Sequence, residues 1–276
     1  MGEVFIINLQ KGMNIMYYLP RDKEIDCVEE RGRYCSGAGL GVLLVDEIYP
    51  AFPGDVRNPS AFPYPIQYEV VDGMDIQGLI RSENKEQYLE RIIKAAKKLE
   101  RMGCRALIGE CGYFSYFQRE VAEAVNIPAF MSSLLQIRWA QSVIGTKKVV
   151  GVLMSGKAEM LEKHLTNVGV ELNTNYVVEG AMDGGNCHQF HLLWDYRFRE
   201  GPARASYKKA EKDFVKCAVD FYRGYPNMGA MVLECTGFPP FARAIQREID
   251  IPIFSWATLM DYAYLITRSR DFYGNI

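Results

Sequence analysis

Residues 106–135 read ALIGECGYFSYFQREVAEAVNIPAFMSSLL, and residues 230–259 read AMVLECTGFPPFARAIQREIDIPIFSWATL. Laid over each other without a gap, the two stretches are identical at ten positions. Among them are Glu110/Glu234, Cys111/Cys235, Phe114/Phe238, Phe117/Phe241, Arg119/Arg243 and Pro128/Pro252. An internal repeat of this kind constrains a fold more than any local motif does. Each copy opens on a short apolar run, 105–110 and 229–234, as a buried parallel strand does. A loop carrying the cysteine follows, then an amphipathic helix at 116–125 or 240–249. Pro128 and Pro252 then open further short strands, 129–133 and 253–256.

Working outward, each copy is preceded by another helix. The first spans 83–102, with Tyr88, Leu89, Ile92, Ile93, Ala96, Leu99 and Met102 at helical spacing, Ser82 as N-cap and Gly103 just past the end. The second spans 206–222. Two more apolar runs, GLGVLLVDEI (39–48) and KKVVGVLMSG (147–156), precede the cysteines by similar distances and read as central strands. Strands alternating with helices over short loops predict an α/β protein with parallel sheets. The expectation is two similar Rossmann-like lobes, each a parallel sheet flanked by helices, related by a pseudo-twofold axis. The first covers 40–145 and the second 146–276, whose C-terminal segment crosses back to the first. Residues 1–40 form an N-terminal arm, in which VFIINL (4–9) reads as an extra edge strand.

Ligands of parallel α/β units gather at the carboxyl ends of the strands, where Cys111 and Cys235 both sit. A nearby helix N-terminus is expected to favour a thiolate there. Cys27, Cys35, Cys104, Cys187 and Cys217 are read as small buried hydrophobes instead. If the lobes face each other, a ligand between them meets one sulfur from each side. That arrangement suits proton transfer at a carbon beside a carboxylate, one thiolate removing a proton and the other thiol returning one. The enolate-like intermediate then needs fixed donors, for which Gly112, Tyr113, Ser132, Ser155, Gly156 and Thr236 are the candidates.

On GECGYF (109–114), LECTGFPPF (233–241) and the two opening strands, the chain resembles the aspartate/glutamate racemase superfamily over roughly residues 39–265. The resemblance implies two α/β lobes, no cofactor, catalytic Cys111 and Cys235, Thr236 as a donor to the substrate anion, and a homo-oligomer. It departs from bacterial glutamate racemases, which have Cys-Asn-Thr where this chain has Cys111-Gly112-Tyr113, and Cys-Thr-His where it has Cys235-Thr236-Gly237. The leading expectation is therefore a cofactor-independent racemase or epimerase of a small carboxylate, an amino acid in the first instance. The alternatives are a lyase using a cysteine as α-proton base, similar to the dimethylsulfoniopropionate-lyase branch, and a maleate-isomerase-like enzyme. A non-catalytic binding module is disfavoured by two retained thiols. The loop IYPAFPGDVRNPSAFPYPIQY (48–68) is expected over the cleft mouth, with Tyr49 near the substrate and Asp55 or Arg57 fixing the loop. Its aromatic residues suit a sulfonium cation.

Composition narrows the partners. Thirty-two basic and thirty-four acidic side chains leave a net charge of −2, which offers no footprint for nucleic acid or an anionic membrane. No apolar run is long enough for a membrane span and no signal peptide is read at the start. Seven cysteines without CxxC spacing read as reduced thiols in a cytoplasmic protein. Cys187, His188 and His191 resemble metal ligands but lack a fourth partner at suggestive spacing, so no metal is expected. His164 is read as solvated on a helix surface, residues 182–186 as a turn. Strand alternation is expected to aim Glu110 and Glu234 away from the thiols.

Overall fold

The computed structural model describes residues 32–171 and 173–269. Most of the 1–40 arm, including the VFIINL strand, lies outside the described residues. Two four-stranded sheets, parallel throughout, form the frame. The first consists of β1 (Leu40–Val45), β2 (Ile66–Val71), β3 (Ala106–Gly109) and β4 (Ala129–Phe130), in the order β2-β1-β3-β4. Its helices are α1 (Ile76–Arg81), α2 (Leu89–Met102) and α3 (Gln118–Ala124), with α4 (Gln136–Ile144) closing this half of the chain. The second repeats the order, β6-β5-β7-β8, from β5 (Val149–Met154), β6 (Tyr176–Gly180), β7 (Met228–Leu233) and β8 (Ile253–Phe254). Its helices are α5 (Glu162–Thr166), α6 (His188–Trp194), α7 (Tyr207–Gly224), α8 (Ala242–Glu248) and α9 (Trp256–Thr267). The α/β class with two similar parallel-sheet lobes is thus what the repeat predicts.

The central strands β3, β5 and β7 are buried along their whole length, as strands covered on both faces must be. The last helix of each half does not stay with its own sheet. Helix α4 packs on β5 and β7 of the second lobe, and α9 packs on β1 and β3 of the first. Trp256 opens α9 fully buried among Leu40, Val42, Ala106 and Ile108. Polar contacts fix the exchange: Gln136 Nε2 donates to the Ser255 carbonyl at 3.0 Å, Thr258 Oγ1 to Gln136 Oε1 at 2.9 Å, and Ser133 Oγ to the Leu233 carbonyl at 2.8 Å.

Two local expectations change. The helix expected over 83–102 begins at Leu89, after a 3-10 turn at 85–88. Ser82 does not cap it, because its N–H closes the last turn of α1 onto the Gly78 carbonyl. Gly103 does end α2, at φ 96°, with the Cys35 carbonyl 2.3 Å from where a Cβ would stand. His164 is fully buried rather than solvated. Its Nδ1 accepts the Leu161 N–H at 2.8 Å and its ring meets Tyr113 edge-on at 5.3 Å; burial, then Lys85, push its pKa down to about 4. Among the described residues no helix is long and apolar enough to cross a membrane.

Candidate active site

Both cysteines follow directly from how the strands end. Glu110 N–H donates to the Leu43 carbonyl and Glu234 N–H to the Leu153 carbonyl, each at 2.9 Å. The ladder therefore runs one residue past β3 and β7, and the chain then turns at the cysteine. Cys111, extended at φ −134°, ψ 139°, is the N-cap of a 3-10 turn over 112–117. The two cysteines, one from each lobe, line a single cavity of about 280 Å³. Tyr49, Tyr113, Trp194 and Phe198 give it aromatic walls, α1 contributes Ile76 and Ile80, and Ser155, Gly156 and Thr236 lie in the second-lobe wall.

The strap between β1 and β2 closes one side by reaching across to the second lobe. Phe52 packs edge-on against Tyr207 and Phe241, with ring centroids 5.3 and 6.0 Å apart. Val56 N–H donates to the Thr236 carbonyl at 3.4 Å. Gly54, at φ 102°, lies against Pro240, where a residue with a Cβ would be both strained and crowded. Tyr49 packs edge-on against Trp194 at 6.5 Å and donates its hydroxyl to Glu110 Oε1 at 2.8 Å. Arg57 locks the strap from inside: Nε meets Glu110 Oε1 at 2.8 Å and Nη2 meets Oε2 at 3.1 Å. The same guanidinium donates to the Val45 carbonyl at 2.8 Å and to the Glu47 carbonyl. Arg57 thus fixes the loop.

The two glutamates do not point away, contrary to the alternation argument. Strand geometry ends before them, and each carboxylate folds back onto the backbone of its central strand. Val45 N–H donates to Glu110 Oε2 at 3.1 Å, and Ser155 N–H to Glu234 Oε2 at 3.2 Å. Glu110 lines the cavity. Glu234 lies against the first lobe: a Cβ on Gly112 would stand 1.8 Å from its Oε1.

Tyr49, Cys111, Tyr113, Ser155, Gly156, Cys235 and Thr236 are thus brought to one cavity. The Tyr113 hydroxyl donates to the Gly156 carbonyl across the lobe boundary. Two of the expected donors are elsewhere. Gly112 is buried beneath the Glu234 carboxyl and absent from the wall. Ser132 is fully buried, its Oγ accepting the Leu134 N–H at 3.1 Å. The expected lowering of the thiol pKa is also reversed. Burial first, then the Glu234 charge, then Glu110, push Cys111 well above the ordinary thiol value, and the Tyr113 N–H offsets this only in part. Cys235 is raised in the same way by burial, Glu234 and Cys111, against the Gly237 N–H. A 3-10 turn lacks the aligned dipoles of a long helix, so desolvation prevails.

Sequence reasoning missed Glu110, Trp194, His191 and the residues of α1. The i, i+4 pair Ile76/Ile80 and the aromatic run in QFHLLW (189–194) were the available signals. His191, read as a metal-ligand look-alike, lines the cavity with its Nε2 3.0 Å from the Met182 carbonyl. Cys187 is instead buried in the core of the second lobe. Among the described residues no three His, Cys, Asp or Glu side chains are grouped so as to hold a metal.

No protein-family model matches the chain. Among curated proteins it is similar to the dimethylsulfoniopropionate lyase of Durusdinium sp. clade D, 24% identical over 233 residues, covering 82% of this chain and 73% of that protein. It is similar also to dimethylsulfoniopropionate lyase 3 of Emiliania huxleyi, 26% identical over 230 residues. That match covers 79% of this chain and 57% of the relative, so the chain spans little more than half its length. Among solved structures, unliganded arylmalonate decarboxylase superposes with a TM-score of 0.53 at 12% identity, covering 83% of this chain and 92% of that one. An aspartate racemase homologue from Pyrococcus horikoshii gives 0.53 at 14% identity, covering 84% and 99%. At such identities the superpositions speak for the fold. The duplicated two-lobe architecture is thus shared with arylmalonate decarboxylase and that aspartate racemase homologue, and the sequence is similar to dimethylsulfoniopropionate lyases.

Proposed function

We propose that the protein is a lyase that eliminates a β-substituent from a small carboxylate, with a β-sulfonium carboxylate of the dimethylsulfoniopropionate type as substrate. The observation that carries this reading is the cavity wall itself, in which two thiols share the space with four aromatic rings. Aromatic faces attract a methylated onium cation without having to replace a tightly held hydration shell. The hydroxyls of Ser155 and Thr236 are the donors assigned to the substrate carboxylate, since Arg57 is committed to Glu110. Arg81 and Arg197, also at the cavity, pair with Glu159 and Asp195.

In the reaction, one cysteine thiolate takes the α-proton, forming an S–H bond. The C–H electron pair becomes the alkene, the Cβ–S bond breaks with its pair going to sulfur, and a neutral dialkyl sulfide leaves beside the α,β-unsaturated carboxylate. A thiol held above its ordinary pKa is scarce as thiolate but a stronger base once formed, as a weak carbon acid demands.

Racemisation, the leading expectation from sequence, keeps one specific support: the two thiols occupy equivalent places in the repeat. Elimination is placed first because the lyases are the nearer in sequence of the proteins compared, at 24–26% identity against 12–14% for the two superposed structures. The test is incubation with dimethylsulfoniopropionate, following acrylate and dimethyl sulfide. Stoichiometric release supports the reading. No release, together with deuterium uptake at Cα of an amino acid in heavy water, replaces it by racemisation.

A further inference from the structure

The repeat makes Glu110 and Glu234 counterparts, yet they are treated differently. Each accepts one N–H from the end of its lobe's central strand, Val45 or Ser155. Glu110 then gains a guanidinium and a tyrosine hydroxyl. Glu234 gains neither: it is 1% exposed, and among the described residues its Oε1 has no hydrogen-bond partner. That oxygen is pressed onto Gly112, the residue beside Cys111, from the opposite lobe. The titratable groups facing it are Cys111 and Tyr113 from the first-lobe turn and Cys235 next to it in its own loop. Burial raises its pKa and the Ser155 N–H lowers it, and among the described residues no cation pairs with it.

A buried carboxylate with one free oxygen and no counter-ion is costly when charged. Two acids close together in such a place do not both ionise, and they lose their protons as a coupled set. We infer that Glu234 is a positioning residue which shares a single negative charge with the two thiols, so that a thiolate forms in this site only while the Glu234 carboxyl holds a proton. The exchange balances internally: the Sγ–H bond of one cysteine breaks, the proton passes to the Glu234 carboxylate, and the negative charge moves to sulfur. Glu110 cannot play this part, because Arg57 already neutralises it.

This inference deepens the elimination reading and gives it a use. Racemisation returns one proton for each it takes, whereas elimination leaves one extra proton on the enzyme at each turnover. A carboxyl able to change its protonation state beside the thiols is what only the second reaction needs.

The experiment is the pH dependence of alkylation of Cys111 and Cys235 by iodoacetamide, without substrate, followed by mass spectrometry in wild type and Glu234→Gln. In wild type, alkylation should level off once the single shared charge has formed, whereas in Glu234→Gln it should go on rising, about tenfold per pH unit, and overtake wild type. Profiles of the same shape in both overturn the inference. If Glu234→Gln does not fold, carbon-13 NMR titration of the glutamate carboxyls in wild type decides: one must titrate near neutrality, and the inference falls if all titrate in the ordinary carboxylate range. The readout uses no substrate, so it can fail while acrylate release succeeds, or the reverse.

Discussion

Replacing Arg57 by Met should destabilise the protein by about 3–5 kcal/mol, the cost of leaving a buried charge without its partner. The structure sets up that cost. The Arg57 and Glu110 side chains are 10% and 3% exposed, and of its described partners the carboxylate would keep only the Val45 N–H and the Tyr49 hydroxyl. The strap would also lose its ties to the Val45 and Glu47 carbonyls and the guanidinium stacked 4.5 Å over the Tyr49 ring. Lysine at 57 should recover little, since one ammonium cannot span both carboxylate oxygens and two carbonyls. The double variant Arg57→Met, Glu110→Met should be far more stable than the sum of the single changes, because no charge is then stranded. Urea unfolding followed by tryptophan fluorescence gives the cycle. A loss under about 1 kcal/mol, or strict additivity in the cycle, would refute the account of a desolvated, mutually dependent pair.

Three further outcomes are expected. Gly112→Ala and Gly237→Ala should each cost about 1–3 kcal/mol and depress activity, because their Cβ atoms would stand 1.8 Å from Glu234 Oε1 and 2.2 Å from Trp194 Cζ2; thermal melts and turnover check this, and wild-type behaviour in both would be inconsistent with the packing. Asp55 and Glu234 are each raised to about 7 by burial before any other cause, so their contribution to stability is present below the ordinary carboxylate range and lost as the pH rises through about 7. That loss is on the order of 4 kcal/mol per group at most, and denaturation at pH 5 and pH 9 should show Glu234→Gln removing part of the slope. Of Cys111→Ser and Cys235→Ser, one should lower elimination about 10²–10⁴-fold, the loss of a positioned general base; activity intact in both excludes thiol chemistry.

Much of this was legible because the duplication is written in residue identity. Ten shared positions align Cys111 with Cys235, and apolar runs followed by glutamate and cysteine locate both strand ends. The direction of the glutamates was not legible, because alternation holds only inside a strand and these residues stand one step past it. Nor was the scarcity of thiolate: the sequence displays a nearby turn but not the depth of burial, and depth decides the pKa. Trp194 and His191 escaped because their route to the cavity passes through α6, whose start at Cys187 takes a left-handed φ of 50° that no glycine announces.

The reciprocal lending of α4 and α9 has a consequence for how the molecule can move and arise. Each half of the chain, synthesised alone, would lack a wall of its own sheet and expose the apolar face its partner's helix covers. The halves are therefore not independent folding units, and unfolding should run as one cooperative event. Rigid opening of the lobes about a hinge would tear both borrowed helices from their seats, so passage into the cavity falls to shorter pieces of chain such as the strap and the α6 approach.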